Sequence, residues 1–329
     1  MTAFDRPKVS IVVTALNSED TIGECLRSIF ELNYPHDYLE VIMIDGCSSD
    51  STVEKAKEYP VKIFREPLNA PAAYNYALKI VNSELIGFVD ADAKVEKEWL
   101  NKLLPHLEDP RVVGASGSIE TWNADNSWAR SIGYDISNRY TRLGNYATRI
   151  ATMNLLFRKK IIEEVGGFDE DFPSQYDTEL GHRITVKGYK IAYEPNAKCY
   201  HYNRKTLRSY FKQQFQYGKN TLRLYFKYHN LARGDEITDF YMNVQPSLLL
   251  GAIVFFILGL VPMLRPFLYL SLLILVVVFV YYTYSASRIA VRFRDKTALL
   301  LIILYFVRVT AWMAGAAVTT VRQYVTKRG

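Results

Sequence analysis

The sequence predicts an α/β domain built on a mostly parallel sheet, followed by C-terminal helices that span a membrane. Three observations carry this. Over the first 200 or so residues, short apolar runs alternate with segments of helical periodicity. Those runs are too apolar to leave one face wet, which argues for a sheet covered on both sides. From Ser247 onward the text becomes "SLLLGAIVFFILGLVPMLRPFLYLSLLILVVVFVYYTY", with a single Arg. Hydrophobic residues make up 49% of the 329, close to a soluble average, so the membrane portion is local.

Taken in order, "KVSIVVTALN" is a strand that stops at a polar loop, and "SEDTIGECLRSIFEL" follows as a helix capped by Ser18, with Ile22, Leu26 and Ile29 on one face. "YLEVIMIDGCSSDST" is a second strand ending in Asp45, and "DSTVEKAKEY" opens the next helix. "VKIFRE" is a third strand and "APAAYNYALKIV" a third helix. "ELIGFVDADA" is the fourth strand, with the helix "KEWLNKLLPHL" after it. A spanning helix needs about 20 apolar residues. Leu248–Leu264 and Phe267–Tyr284 are therefore two spans around a turn marked by Pro262 and Pro266. Ala298–Thr319 is a third candidate, but Arg308 sits near its middle, so it either crosses or lies re-entrant or interfacial. Three divisions follow: 1–203 as the α/β domain, 204–246 as a basic aromatic helical region and 247–329 as the membrane region.

Net charge is +6, and its placement matters more than its size. Arg204, Lys205, Arg208, Lys212, Lys219, Arg223, Lys227 and Arg233 precede the first span with no acid among them. Arg288, Arg292, Arg294 and Lys296 follow the second. Both clusters mark the cytoplasmic side and suit anionic headgroups. A third crossing would put Arg322, Lys327 and Arg328 outside, against that bias. The start of the chain lacks a signal-peptide plan, so the first domain is expected in the cytosol. The stretch "TLRSYFKQQFQYGKNTLRLYFKYHN", interrupted by Gly218, reads as a helix in the membrane interface or one packed on the first domain. With spans beside it, nucleic acid is not its partner. Cys25, Cys47 and Cys199 lack metal-ligand spacing and read as reduced packing residues.

In parallel sheets ligands gather beyond the carboxyl ends of the strands. Thr14–Asn17, Asp45 and the pair Asp90–Asp92 all fall at that edge, which points to a small-molecule site. No G-x-G-x-x-G follows the first strand and no G-x-x-x-x-G-K-[ST] occurs, which counts against dinucleotide and P-loop sites. Two carboxylates beside an apolar run expect a positive partner.

"SIVVTALNSED", "VIMIDGCSSDST", "LIGFVDADA" and "SQYDTELGHRI", in that order and spacing, resemble a family 2 glycosyltransferase of GT-A fold, in its membrane-anchored bacterial or archaeal form. The resemblance runs from about Lys8 to about Gly218. It implies a Rossmann-like nucleotide-sugar-binding domain in which Thr14, Ala15 and Glu19 hold the nucleoside and Asp45 meets the donor base. It implies Asp90 on the ribose side, Asp92 on a divalent metal (Mg2+ or Mn2+), and Asp177 as general base. His201 falls where some members place a further metal ligand. Asn154, Glu179, Gln213 and Gln214 are weaker acceptor-side candidates. The chain departs from the family twice. Tyr176 stands where an acid usually precedes the base, and Ala70 and Tyr74 stand near the Gly and Arg of many relatives, so no phosphate contact is carried over there.

A cation bridging a diphosphate stabilises the charge that grows on the leaving group, and carboxylates are its preferred ligands. An acceptor hydroxyl needs a base, whereas a lipid phosphate is already anionic near neutrality. Asp177 thus favours a hydroxyl. The expected protein is an inverting, metal-dependent glycosyltransferase in the cytoplasmic membrane, multi-pass, with its catalytic domain in the cytosol. It moves a hexose from a nucleotide sugar, by family habit UDP-linked, to a lipid-linked saccharide in glycan or polysaccharide assembly. The alternatives are a polyprenyl-phosphate sugar synthase and a non-catalytic membrane-anchored binding module on the same fold.

Overall fold

The computed structural model describes residues 6–326, with side chains described through Val321. The chain divides into two compact units, one running up to Trp122 and resuming over Tyr140–Tyr202, the other made of Asn123–Arg139 and the chain from Asn203 onward.

The first unit is built on eight strands: β1 (Val9–Ala15), β2 (Leu39–Asp45), β3 (Lys62–Arg65), β4 (Leu85–Phe88), β5 (Ala93–Val95), β6 (Val112–Thr121), β7 (Leu155–Arg158) and β8 (Lys190–His201). They form one sheet in the order β3-β2-β1-β4-β7-β6-β8-β5. β1 pairs in parallel with β2 and β4, β2 with β3, and β6 with β8. β7 is antiparallel to both of its neighbours, and β5 is antiparallel to β8. The helices of this unit are α1 (Ile22–Phe30), α2 (Thr52–Ala56), α3 (Ala70–Ile80), α4 (Trp99–Leu103), α6 (Lys159–Glu164) and α7 (Tyr176–Val186), while α5 (Ser127–Tyr140) belongs almost wholly to the second unit.

Strand alternation divides the core in two. Ile11, Val13, Val41 and Met43 pack with Ile22, Leu26 and Ile29 of α1 and Trp99 and Leu103 of α4. Val12, Ile42, Ile44 and Phe88 pack on the other face with Tyr74 and Ala77 of α3 and Leu180 and Ile184 of α7. The central strands β1, β2 and β4 are buried on both faces, as their composition requires. One expectation is corrected: Ser18 does not cap α1. Its carbonyl accepts the N–H groups of Thr21 and Ile22 in a turn, and the helix begins at Ile22.

The second unit holds α5, α8 (Leu207–Lys227), α9 (Phe240–Gly259), α10 (Pro266–Phe293) and α11 (Leu301–Thr326). Three stretches are long and apolar enough to cross a membrane: Phe240–Gly259, Pro266–Phe293 and Lys296–Val321. The first helix therefore starts eight residues before Leu248, where the Asp239 carboxylate accepts from Met242 N at 2.9 Å. The tail cations Arg322, Lys327 and Arg328 lie outside the residues whose side chains are described. Gly218 does not interrupt α8; the helix runs through it and uses the missing side chain to meet α11, where a Cβ would come within 2.5 Å of Trp312 Cα. Arg308 is 5% exposed and is matched by Asp135 of α5, as is developed below.

Candidate active site

β1 and β2 are in register with Ala15 opposite Asp45, so their loops emerge together. Backbone and side-chain hydrogen bonds stitch the two loops into one layer. Gly46 N donates to Ala15 O at 2.8 Å, Asn17 N to Ser48 Oγ at 2.8 Å, and Ser18 N to Thr52 Oγ1 at 2.7 Å. Glu19 accepts from Ser51 N at 3.2 Å through Oε2. Thr14 and Glu19 are half-buried and Ala15 is buried. Asn17 and Cys47 take left-handed backbone conformations, with φ of 49° and 65°. Cys47 is exposed, which corrects its reading as a packing residue; Cys25 and Cys199 are buried and all three are free. Asp45 is fully buried: it accepts from Ser48 N at 3.0 Å and from Ser48 Oγ, and Arg65 Nε lies 3.3 Å from Oδ2. Its carboxylate thus shapes the loop from behind, and a base could reach it only past Ser48 and the half-exposed Arg65.

The Asp90–Asp92 pair occupies the turn between β4 and β5, where Ala93 N bonds back to Asp90 O at 2.9 Å. Asp90 Oδ1 accepts from the Tyr74 hydroxyl at 2.5 Å. Burial, and then the neighbouring Asp92 charge, push the Asp90 carboxyl up to about 6, against the opposing pull of Tyr74 and His201. The Asp177 charge also acts on Asp90, so Asp90, Asp92 and Asp177 share one electrostatic neighbourhood. β5–β8 pairing sets His201 opposite Ala93, and its Nε2 lies 3.5 Å from Asp92 Oδ2.

Do these residues fit a divalent ion? Among the described residues no group of three or more His, Cys, Asp or Glu forms a metal cluster. Asp92 and His201 form a pair. Two protein donors suffice for an ion that takes the rest of its shell from diphosphate oxygens and water. The repulsion between Asp90 and Asp92 is what such an ion would reduce. The residues fit.

Asp177 lies in the first turn of α7, entered through Gln175 at φ 70°. Its Oδ1 accepts from Thr178 N at 2.7 Å, and Oδ2 has no hydrogen-bond partner among the described residues. Burial raises its carboxyl above the ordinary range, with Thr178 N and the nearby Arg149 opposing. Glu179, an acceptor-side candidate, is instead fully buried and bonded to Arg183 Nη2 at 2.6 Å. Asn154 is likewise a core residue, accepting from Trp99 Nε1 at 2.6 Å and donating to Ser118 O at 2.9 Å. Gln213 and Gln214 stand on α8 in the second unit, where buried Gln214 accepts from Trp312 Nε1 at 2.9 Å. Sequence reasoning set Tyr74 aside, whereas the structure brings its hydroxyl to Asp90. Its signal was the departure from the family's Arg at the start of that helix.

Residues 10–166 match the family model for glycosyl transferase family 2. The chain is 25% identical over 196 residues to glycosyltransferase AglE of Haloferax volcanii, covering 57% of this chain and 64% of that one. It is 24% identical over 225 residues to a dolichyl N-acetyl-alpha-D-glucosaminyl phosphate 3-beta-D-2,3-diacetamido-2,3-dideoxy-beta-D-glucuronosyltransferase of Methanococcus voltae, covering 62% and 70%. The chain thus spans less than two thirds of the length of AglE. Among solved structures, the mannosyltransferase PcManGT of Pyrobaculum calidifontis, in complex with GDP-Man and Mn2+, superposes with a TM-score of 0.62 at 20% identity, over 97% of this chain and 88% of that one. At that identity the likeness is one of fold, and the fold is GT-A. The chain therefore carries a glycosyl transferase family 2 domain over residues 10–166.

Proposed function

We propose that the protein is an inverting glycosyltransferase that moves a hexose from a nucleotide sugar to a hydroxyl of a lipid-linked saccharide at the cytoplasmic face of a membrane. The observation that carries this is the meeting of Asp90, Asp92 and His201 with a separate, half-buried carboxylate at Asp177. Asp92 and His201 would hold a divalent ion, Mg2+ or Mn2+, which when bound neutralises charge building on the departing diphosphate. The first two loops, through Thr14, Ala15 and Glu19, hold the nucleoside, with Asp45 bracing them and Asp90 on the ribose side. Asp177 takes the proton of the acceptor hydroxyl through Oδ2, and its raised carboxyl makes it a better base than an ordinary aspartate. Attack from the acceptor side, opposite the leaving group, inverts the anomeric carbon.

The acceptor class rests on three supports. A dedicated base suits a hydroxyl over an anionic lipid phosphate. The Methanococcus voltae relative is named for transfer to a dolichyl-linked sugar phosphate. Cations on α8 and after α10 would put both ends of the α9–α10 hairpin on the cytoplasmic side, beside a bilayer that carries the acceptor.

The test is a thermal-shift panel of UDP- and GDP-sugars with and without Mn2+, followed by nucleotide release assays with an isoprenoid-linked saccharide. Metal-dependent stabilisation and turnover are expected, since a ligand at 100 times its Kd adds about 2.7 kcal/mol of apparent stability. No stabilisation by any nucleotide sugar would sink the proposal. Asp177→Asn should abolish transfer to a hydroxyl; if transfer to polyprenyl phosphate survives in the wild type and the variant alike, the protein is a polyprenyl-phosphate sugar synthase.

A further inference from the structure

One buried polar group has no part in the chemistry above: the phenol of Tyr74. Its ring is 0% exposed. The ring stacks on Phe168 with centroids 5.0 Å apart and meets Phe88 edge-on at 5.1 Å. A side chain packed so tightly has one rotamer, so its hydroxyl oxygen is a fixed point rather than a swinging group. That oxygen accepts from Thr14 Oγ1 at 3.2 Å and donates to Asp90 Oδ1 at 2.5 Å. The relay joins the first loop to the acidic turn through the core, across positions 60 and 16 residues apart in sequence.

The relay has a directional consequence. A phenol has one proton, and here it goes to Oδ1 of Asp90. Oδ2 carries no hydrogen bond among the described residues, so it is the edge left to accept from a ligand. A carboxylate anchored at one oxygen cannot turn about its terminal torsion, which is otherwise broad. We propose that Tyr74 is a positioning residue that fixes the accepting edge of Asp90 toward the ribose hydroxyls, and so makes the donor pocket select ribonucleotides over deoxyribonucleotides. This rests on the proposed function, in which Asp90 serves the ribose side of the donor.

The experiment uses the full-length protein in detergent with Mn2+. Dissociation constants are measured by calorimetry for UDP and GDP and for their 2′-deoxy and 3′-deoxy forms. Hydrogen bonds to a charged acceptor are strong enough that the wild type should bind the better ribonucleotide about 10- to 100-fold more tightly than its deoxy form. Tyr74→Phe keeps the ring in its cluster and removes the proton. Its ribo/deoxy ratio should fall to about threefold or less, even where overall affinity changes little. A purely structural tyrosine would lower the melting temperature and leave the ratio intact; that result overturns the inference, as does a wild type that shows no discrimination. If Tyr74→Phe does not fold, Phe168→Leu removes the ring on which Tyr74 stacks and loosens its hydroxyl, and is read by the same ratio, with an unchanged ratio overturning the inference. A wild type that binds none of these nucleotides refutes the donor-site reading itself, which is a separate outcome.

Discussion

Arg308 Nη1 donates to Asp135 Oδ2 across 3.1 Å, joining the middle of α11 to α5 inside the second unit. Tyr305 donates to Asp135 Oδ1 at 3.0 Å, and Arg139 Nε lies 3.3 Å from Oδ2. Arg308 also lies over the Tyr305 ring at 4.6 Å. A charge in an apolar helix is tolerated when it faces a partner within the bundle, and here it does. The window that holds Arg308 is 44% buried, while those of α9 and α10 are only 22% and 17% buried. Removing one partner of a buried pair leaves the other charge uncompensated, at a cost of about 3–5 kcal/mol. Asp135→Asn and Arg308→Met should each lower the melting temperature in detergent markedly. The double variant should recover much of the loss. Equal and additive effects would show that the two residues act apart.

The α8–α11 crossing gives a second, independent handle. A Cβ at Gly218 would meet the Trp312 backbone at 2.5 Å, and one at Gly315 would meet Phe215 O at 2.3 Å. Backbone cannot step aside as a flexible side-chain tip can. Gly218→Ala should therefore cost about 1–3 kcal/mol by overpacking, although alanine is the better helix former. Proteolysis of the helical unit or its thermal unfolding reads this out. A neutral or stabilised Gly218→Ala would mean that the helices are less closely packed than described.

These two sites also show what sequence could and could not disclose. The alternation that divides Ile11 and Val13 from Val12 was legible because burial on both sheet faces demands unbroken apolar strands. Asp90, Asp92 and Asp177 could be singled out because carboxylates at strand and helix ends are costly without a partner, and the structure brings them close enough for Asp92 and Asp177 to act on Asp90. Asn154 and Glu179 were misjudged as acceptor-side residues because polarity alone does not tell a satisfied core group from an open one. Only Trp99, Ser118 and Arg183, distant or a helical turn away, decide that. Gly218 looked like a break because helix propensity is local, whereas its use is a contact with Trp312. Arg308 looked misplaced because Asp135 lies 173 residues away in sequence.

The metal reading makes a graded prediction. Asp92→Asn removes a charged ligand and should abolish the Mn2+-dependent gain in nucleotide stabilisation. His201→Gln removes the nitrogen donor that lies 3.5 Å from Asp92 and should weaken the apparent metal constant by about tenfold or more while leaving turnover measurable at high Mn2+. Chelation should silence the wild type reversibly. Identical metal constants for the wild type and His201→Gln would remove His201 from the site and leave Asp92 as the single protein ligand.

As the proposed base, Asp177 should tie activity to pH with a definite sign. Burial is the main cause that raises its carboxyl, so in the folded protein it holds its proton to a higher pH than an ordinary aspartate. A base works only when deprotonated, so kcat/KM should fall as pH drops through that raised value, at a pH where an exposed aspartate would still be ionised. Stability should move the other way. With the folded value above the unfolded one, the ionised side chain is a net cost above both values, and that cost disappears as pH falls through the folded value. Asp177→Asn keeps an oxygen to accept from Thr178 N, so it should abolish transfer yet raise the melting temperature slightly at neutral pH. The measurement is a paired profile of rate and melting temperature against pH for the wild type and the variant. A variant that loses both activity and stability would assign Asp177 to holding the first turn of α7 rather than to taking the proton.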